Sequence, residues 1–421
     1  MIVRCGAVSL LCDPWFEGTC FRDGWGLQYH NPHAYQDAAA CTHLWISHFH
    51  PDHLHMPTLR QLARQRADLP CLANVSANFS MSGVLGSAGF RDVRALAERR
   101  PMRLADGVTV TRFPSTGIDN MLLLRAGELS VLNFNDCNLP QAAIQRLRRS
   151  LGHVNVLLVN FNHANKLLDA TPHEQIKPRL IQRFERIVRA VEPDHVIPFA
   201  SMHYYRAPLT AWQNDFMLTS EELAAVERRV CALHMGDEAS FRDGSQWLVR
   251  RLSPALPPVP RSAKQHNVSV AWHELLTVAH AYRAQLAAAF GPFAVLVPAL
   301  RVWVEDLGRG LCLSVRAGVS ELAAKRDTAH IAAHSLSVFD WLGRPYGTDA
   351  LFVGGDFELI SKDTRALQRT ILAGLFVDNG LAPRQSLRML AQLDGWRFFF
   401  NRREEILAVL RSGRVQAGNR S

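Results

Sequence analysis

Three imidazoles and one carboxylate stand in the six residues His48-Phe49-His50-Pro51-Asp52-His53. Imidazole nitrogen and carboxylate oxygen together suit zinc, iron or manganese. Four donors on one loop are too many for a single closed site. They suit two metals close together, with His48 and His50 on one and Asp52 and His53 on the other. The apolar run Leu44-Trp45-Ile46 before the loop reads as a short buried strand. Pro57-Thr58-Leu59-Arg60-Gln61-Leu62-Ala63-Arg64 after it reads as a helix start with proline in its first turn. The donors thus sit on a tight strand-to-helix loop that can aim them at one point.

His-x-His-x-Asp-His after a buried strand resembles the metal motif of the metallo-β-lactamase fold. Two further stretches support the resemblance. Val8-Ser9-Leu10-Leu11-Cys12-Asp13-Pro14-Trp15-Phe16 resembles the early strand of that fold, which ends in an Asp-Pro turn. Leu129-Ser130-Val131-Leu132-Asn133-Phe134-Asn135-Asp136 resembles the later strand that delivers a metal-bridging aspartate. The resemblance implies an α/β protein: an αββα sandwich with a dinuclear metal centre. The family has an extra strand before the one ending at Asp13. Here almost nothing precedes it, which implies a trimmed sheet edge or a misplaced start.

Within the fold, the N-terminal half is most similar to the metallo-β-lactamase-fold part of the CMP-N-acetylneuraminate hydroxylase family. The matching text is Asp13-Pro14-Trp15-Phe16, Phe21-x-x-Gly24-Trp25, Ile46-Ser47-His48-x-His50-x-Asp52-His53-Leu54, Pro57-Thr58-Leu59, Leu132-Asn133-x-x-Asp136-Cys137 and Pro198-Phe199-Ala200. The same half resembles, more loosely, the L-ascorbate 6-phosphate lactonase branch of hydrolases.

The resemblance assigns the remaining ligands. Asp136 is the candidate bridge, and a free carboxylate at the end of a buried apolar strand would be costly without a partner. Many family members place a histidine just before that strand. Here Asp119 stands in its place, within Pro114-Ser115-Thr116-Gly117-Ile118-Asp119-Asn120-Met121. A carboxylate there makes the site harder and more iron-like. His203, in Pro198-Phe199-Ala200-Ser201-Met202-His203-Tyr204, is the match for the last ligand. His195 begins that strand and points elsewhere. His163 lies on another loop at the strand ends and reads as a ligand, a substrate contact or an acid/base group. His55 reads as a support beside the loop or a surface group. Trp212, Phe216 and Tyr205 are candidates for packing a substrate or a domain interface.

Two enzyme readings follow. In the first, two divalent metals (zinc, iron or manganese) activate a water that attacks a small, anionic substrate, with Asp52 orienting the nucleophile or holding the second metal. In the second, a di-iron pair uses dioxygen to hydroxylate or oxidise an organic substrate. The hydroxylase family also carries a Rieske cluster, which needs closely spaced Cys-x-His and Cys-x-x-His pairs. Cys41-Thr42-His43 and Cys231-Ala232-Leu233-His234 are too far apart to form one, so an oxygenase here implies an external electron donor. The hydrolase stands slightly ahead. A third reading is a non-catalytic binding protein with a relic metal loop.

Composition bounds the rest. The 421 residues exceed one ordinary core, so two domains are expected. No apolar run is long enough to span a bilayer, no signal peptide is apparent, and the eight cysteines are scattered, which together suggest a cytoplasmic protein. The net charge of +9 comes from arginines spread along the chain, with only five lysines. Without a basic block or interleaved aromatics, no nucleic acid is expected as a partner. A homodimer is one use for a second domain.

Four prolines in Ser253-Pro254-Ala255-Leu256-Pro257-Pro258-Val259-Pro260 mark the clearest break. They divide the chain into 1–252, a metal-binding catalytic domain, a linker at 253–265, and 266–421, a smaller α/β domain for substrate binding or dimerisation. In the first part, Asn155–Asn160 and His195–Phe199 read as strands and Ile176–Val191 as a helix. In the last, Trp272–Phe290 and Ser335–Leu342 read as helices. Arg301–Glu305, Leu311–Val315 and Ala350–Val353 read as strands. This order resembles the sterol-carrier-protein-2-like fold.

Overall fold

The computed structural model describes residues 1–74, 80–115, 119–137, 139–163, 171–242, 246–252, 255–322, 325–378, 380–384 and 386. Residues 116–118 before Asp119, 164–165 after His163, 253–254 and all those beyond 386 lie outside the described residues.

The N-terminal part is built on two facing sheets. The first has the strand order Ile2–Cys5, Val8–Cys12, His43–Trp45, Cys71–Asn74, Val93–Leu96. Only its first pair is antiparallel. The second runs His195–Phe199, Val156–Asn160, Leu129–Asn135, Asn120–Ala126, Val108–Pro114, Met102–Ala105. Its last four strands form an antiparallel meander, and the other two join in parallel.

Alternation along the strands divides the apolar residues between two faces. Leu10, Cys12, Trp45 and Leu72 meet Val108, Val110, Leu122 and Leu124 between the sheets. Leu11, Leu44 and Ile46 face outward and bury Leu59 and Leu62 of helix Met56–Gln65, with Leu85 of helix Met81–Ala88. On the far side, Leu132, Phe134, Leu157 and Val159 pack on Ile144 and Leu147 of helix Gln141–Leu151 and on Leu180 and Phe184 of helix His173–Val191. The layers are therefore helix, sheet, sheet, helix: the expected αββα sandwich. Each fully buried leucine or valine contributes about 1.5–3 kcal/mol, so the strand ends that carry the loops are firmly held.

The C-terminal part has its own sheet, ordered Gly318–Leu322, Arg309–Ser314, Leu300–Val304, Ile331–Ala333, Glu358–Leu359. Helices Trp272–Phe290, Ser335–Gly343 and Arg365–Asp378 share a separate core with it, including Leu275, Tyr282, Val302, Leu311, Trp341 and Leu367. The Pro-rich segment does not hang free. Pro258 bridges to Tyr29, Val259 N donates to Gln28 O at 2.6 Å, and Lys264 N donates to Arg206 O at 2.8 Å.

Two expectations are corrected. A strand does precede the one ending at Asp13: Ile2–Cys5 pairs with Val8–Cys12 through a turn at Gly6, whose φ of 55° suits glycine. Ala350–Val353 is not a strand. Helix Gly347–Phe352 occupies it, because Leu351 and Phe352 both turn into the core, an arrangement a short apolar run cannot announce. Trp212 and Phe216 pack on His173 and the second helical layer, and Tyr205 is fully buried. All eight cysteines are free thiols. No helix among the described residues is long and apolar enough to cross a membrane.

Candidate metal centre

The loop that follows strand His43–Trp45 is anchored before its first histidine. Ser47 N donates to Asp13 Oδ1 at 2.7 Å, and Ser47 O accepts from Nδ2 of both Asn74 and Asn120 at 2.8 Å. Ser47 Oγ lies 2.9 Å from Nδ1 of His48, which leaves Nε2 of that ring for a ligand. At the far end of the loop, His55 caps the helix by accepting from Thr58 N. His55 is buried there, so of its two readings the support holds and the surface group does not.

Two clusters of donors result. His48, His50 and Asp119 form one; His48, His53 and Asp136 form the other. In the first, His48 Nε2 is 2.8 Å from His50 Nδ1 and 3.7 Å from Asp119 Oδ1. In the second, His53 Nε2 is 3.1 Å from Asp136 Oδ2 and 3.3 Å from Asp52 Oδ2. Donors sharing an ion at about 2.1 Å can lie at most about 4.2 Å apart, so every one of these separations is compatible with a shared ion. Asp52 Oδ1 is buried without a hydrogen-bond partner, as a carboxylate facing a cation would be. The donor set therefore fits two cations.

Asp136 is aimed by its strand. A register shift between Asn133 and Asn135, with Asn135 at φ 53°, turns the chain as it leaves the sheet. Asn160 Nδ2 then donates to Asp136 Oδ1 at 2.9 Å, leaving Oδ2 toward His53. Nδ1 of His53 lies 3.1 Å from Asp13 Oδ2, which also accepts from Asn135 Nδ2.

The electrostatics describe a pocket that attracts positive charge. Burial, then the charges of His53 and His50, hold His48 well below the usual imidazole range, so it stays neutral. Burial also opposes charge on His50, but the carboxylates of Asp349, Asp52 and Asp119 outweigh it and raise its pKa to about 9. His53 is raised against burial by Asp52, Asp136 and Asp13. Burial raises Asp119 to about 6. Asp136 lies below the usual carboxylate range: burial opposes this, and His53 outweighs it.

His203 and His163 lie outside both clusters. His203 stacks on Trp25 at a centroid distance of 3.9 Å, and Asp52 and Asp136 act on it electrostatically. His163 stacks on Tyr205, whose hydroxyl donates to the His163 carbonyl. Burial lowers both imidazoles to about 4.

Several residues that hold these donors carry no role in the sequence alone: Asp13, Ser47, Asn74, Asn120, Asn160 and Asp349. Four of them had a signal, since Asp13, Asn74, Asn120 and Asn160 each stand at or just past the end of an apolar strand. Asp349 had none. It belongs to the C-terminal part, yet its Oδ1 lies 3.6 Å from His50 Nε2.

Residues 9–176 match the family described as a beta-lactamase superfamily domain. The chain is 29% identical to the cytidine monophosphate-N-acetylneuraminic acid hydroxylase of Mus musculus over 155 residues, 33% of this chain and 25% of the relative. It is 26% identical to that of Cricetulus griseus over 220 residues, 48% of this chain and 38% of the relative. The matched part thus spans well under half the length of these curated relatives. A solved mutant of CmlA beta-hydroxylase aligns with 60% of this chain and 52% of its own at 20% identity, with a TM-score of 0.41. The metallo-beta-lactamase fold protein YhfI from Bacillus subtilis aligns with 47% of this chain and 76% of its own at 13% identity, with a TM-score of 0.32.

Proposed function

Because residues 9–176 belong to the metallo-β-lactamase superfamily, we propose that this chain is a dinuclear metal enzyme that uses iron and dioxygen to hydroxylate or oxidise a small organic substrate. The observation that carries this reading is the cluster His48, His50 and Asp119. Two imidazoles and one carboxylate with open positions suit iron(II) oxygenases. The similarity to hydroxylases supports it.

His48, His53 and Asp136 would hold the second ion, with Asp52 beside His53 and Asp136 the candidate bridge. When bound, the ions supply a redox-active, Lewis-acidic pair for dioxygen chemistry. Asp13 and Ser47 keep the imidazoles turned toward them. His163 is neutral near pH 7 and can accept a proton from a substrate. Trp25 and Tyr205 keep water from the buried side. Inserting one oxygen atom into a C–H bond sends the other to water and consumes two electrons and two protons, so an external electron donor is part of the reading. Residues 1–252 would form the catalytic domain, 253–265 the linker, and 266–421 a substrate-binding or dimerising domain.

A hydrolase on the same residues is the second reading, favoured by Asp52 beside His53, whose carboxylate would hold an ion or orient a water bound to it. Dioxygen uptake by iron-loaded protein with a chemical reductant tests the pair. Uptake that depends on His48 and Asp119 supports the oxygenase. No uptake, with cleavage of phosphoester, lactone or thioester probes by zinc- or manganese-loaded protein, overturns it for the hydrolase.

A further inference from the structure

The metal loop meets the C-terminal part at a carboxylate. Asp349, 4% exposed, sits on helix Gly347–Phe352 with Oδ1 at 3.6 Å from Nε2 of His50. Nδ1, the other nitrogen of that ring, faces His48 Nε2 at 2.8 Å, toward the first donor cluster. His50 is thus held between the cluster and a carboxylate, as His53 is held between Asp136 and Asp13. A carboxylate behind a ligating imidazole fixes its tautomer and orientation and raises its basicity. Asp349 Oδ2 is buried without a hydrogen-bond partner among the described residues.

The seam that delivers Asp349 is too tight for ordinary residues. A Cβ on Gly24 would meet Gly354 Cα at 2.7 Å and Gly354 O at 2.9 Å. Gly355, at φ 71°, packs directly on Thr210. Phe21, Arg22 and Asp23 all adopt left-handed backbone, a costly run for residues with side chains. That run turns Phe21 against both His50 and Trp25, at 5.9 and 4.6 Å between centroids. Val353 packs on the same cluster. Helix Gly347–Phe352 is therefore seated on the segment beside His50.

We propose that Asp349 is a positioning residue for the metal at His48, His50 and Asp119, so that the C-terminal part completes a centre whose donors all lie in the N-terminal part. The inference rests on the dinuclear reading above. With the His50 ring proton kept on Nε2 toward Asp349, Nδ1 carries the lone pair for the ion.

The test is the number and affinity of bound Co(II) ions in the full chain, by chelator competition and visible absorption. The variants are Asp349→Ala, the isosteric Asp349→Asn, and Asp349→Glu. The expected result is one ion weakened about 10- to 100-fold, with its absorption band altered and the other unchanged. Asp349→Glu should recover part of the loss while thermal unfolding stays near wild type. Two unchanged affinities in Asp349→Asn and Asp349→Ala would overturn the proposal. So would equal weakening of both ions with a lowered melting temperature, which marks a merely structural role. If wild type itself fails to bind two ions, the dinuclear reading fails first and takes this inference with it.

Discussion

The carboxylate of Asp13 lies 3.1 Å from Nδ1 of His53, behind the ring whose other nitrogen faces Asp136. The two residues follow neighbouring parallel strands of the first sheet, Asp13 directly after Val8–Cys12 and His53 on the loop after His43–Trp45. Replacing Asp13 with alanine should weaken one of two bound ions by about 10- to 100-fold, because His53 loses the partner that fixes its tautomer. Chelator competition reads this directly. Unchanged affinity would mean that Asp13 serves the turn and not the histidine.

Asp136→Ala should lose metal and activity together, since its carboxylate faces His53 and is positioned by Asn160. Elemental analysis of the purified variant decides it. Retention of two ions per chain would end the bridging assignment.

Metal affinity should rise with pH. His50 is raised to about 9 in the metal-free pocket, so near pH 7 it carries a proton that an ion must displace. Titrations in buffers of different ionisation heat should show proton release on binding at pH 7 and less above pH 9. The metal-free protein should behave in the opposite sense. A raised folded-state pKa stabilises the fold below about 6.5, and that contribution is lost as pH rises through about 9. Its melting temperature should therefore fall across that window while that of the loaded protein does not. A binding constant that does not vary with pH between 6 and 9 would contradict this.

The metal loop was legible because its chemistry is local. Three histidines and an aspartate declare themselves wherever the chain goes, and the strands on either side have simple apolar runs. The carboxamides of Asn74, Asn120 and Asn160 carry no such signal, since asparagine at a strand end also serves turns through its own hydrogen bonds. Only the meeting of the strand ends shows that they hold Ser47 and Asp136. Ile2–Cys5 was missed because four half-exposed residues carry no pattern of their own. Ala350–Val353 was misread because alanine, leucine, phenylalanine and valine suit a buried strand as well as a helix. That misreading hid Asp349, whose approach to His50 depends on tertiary packing alone.

Limited proteolysis should nick the chain near Pro257-Pro258, at the boundary that the prolines mark in the sequence. The two fragments should stay together on gel filtration, because the Gly24–Gly354 seam lies elsewhere. A stable fragment spanning 200–320 would contradict the two-domain division.

The most direct test of the central claim is metal content by elemental analysis of protein from unsupplemented medium, with a visible spectrum recorded after reduction and again in air. The account predicts two irons per chain and an absorption band that changes with dioxygen, both lost in His48→Ala. Two zinc or manganese ions with no dioxygen-sensitive band would contradict the oxygenase and leave the hydrolase. No tightly bound metal at all would contradict the metal centre itself.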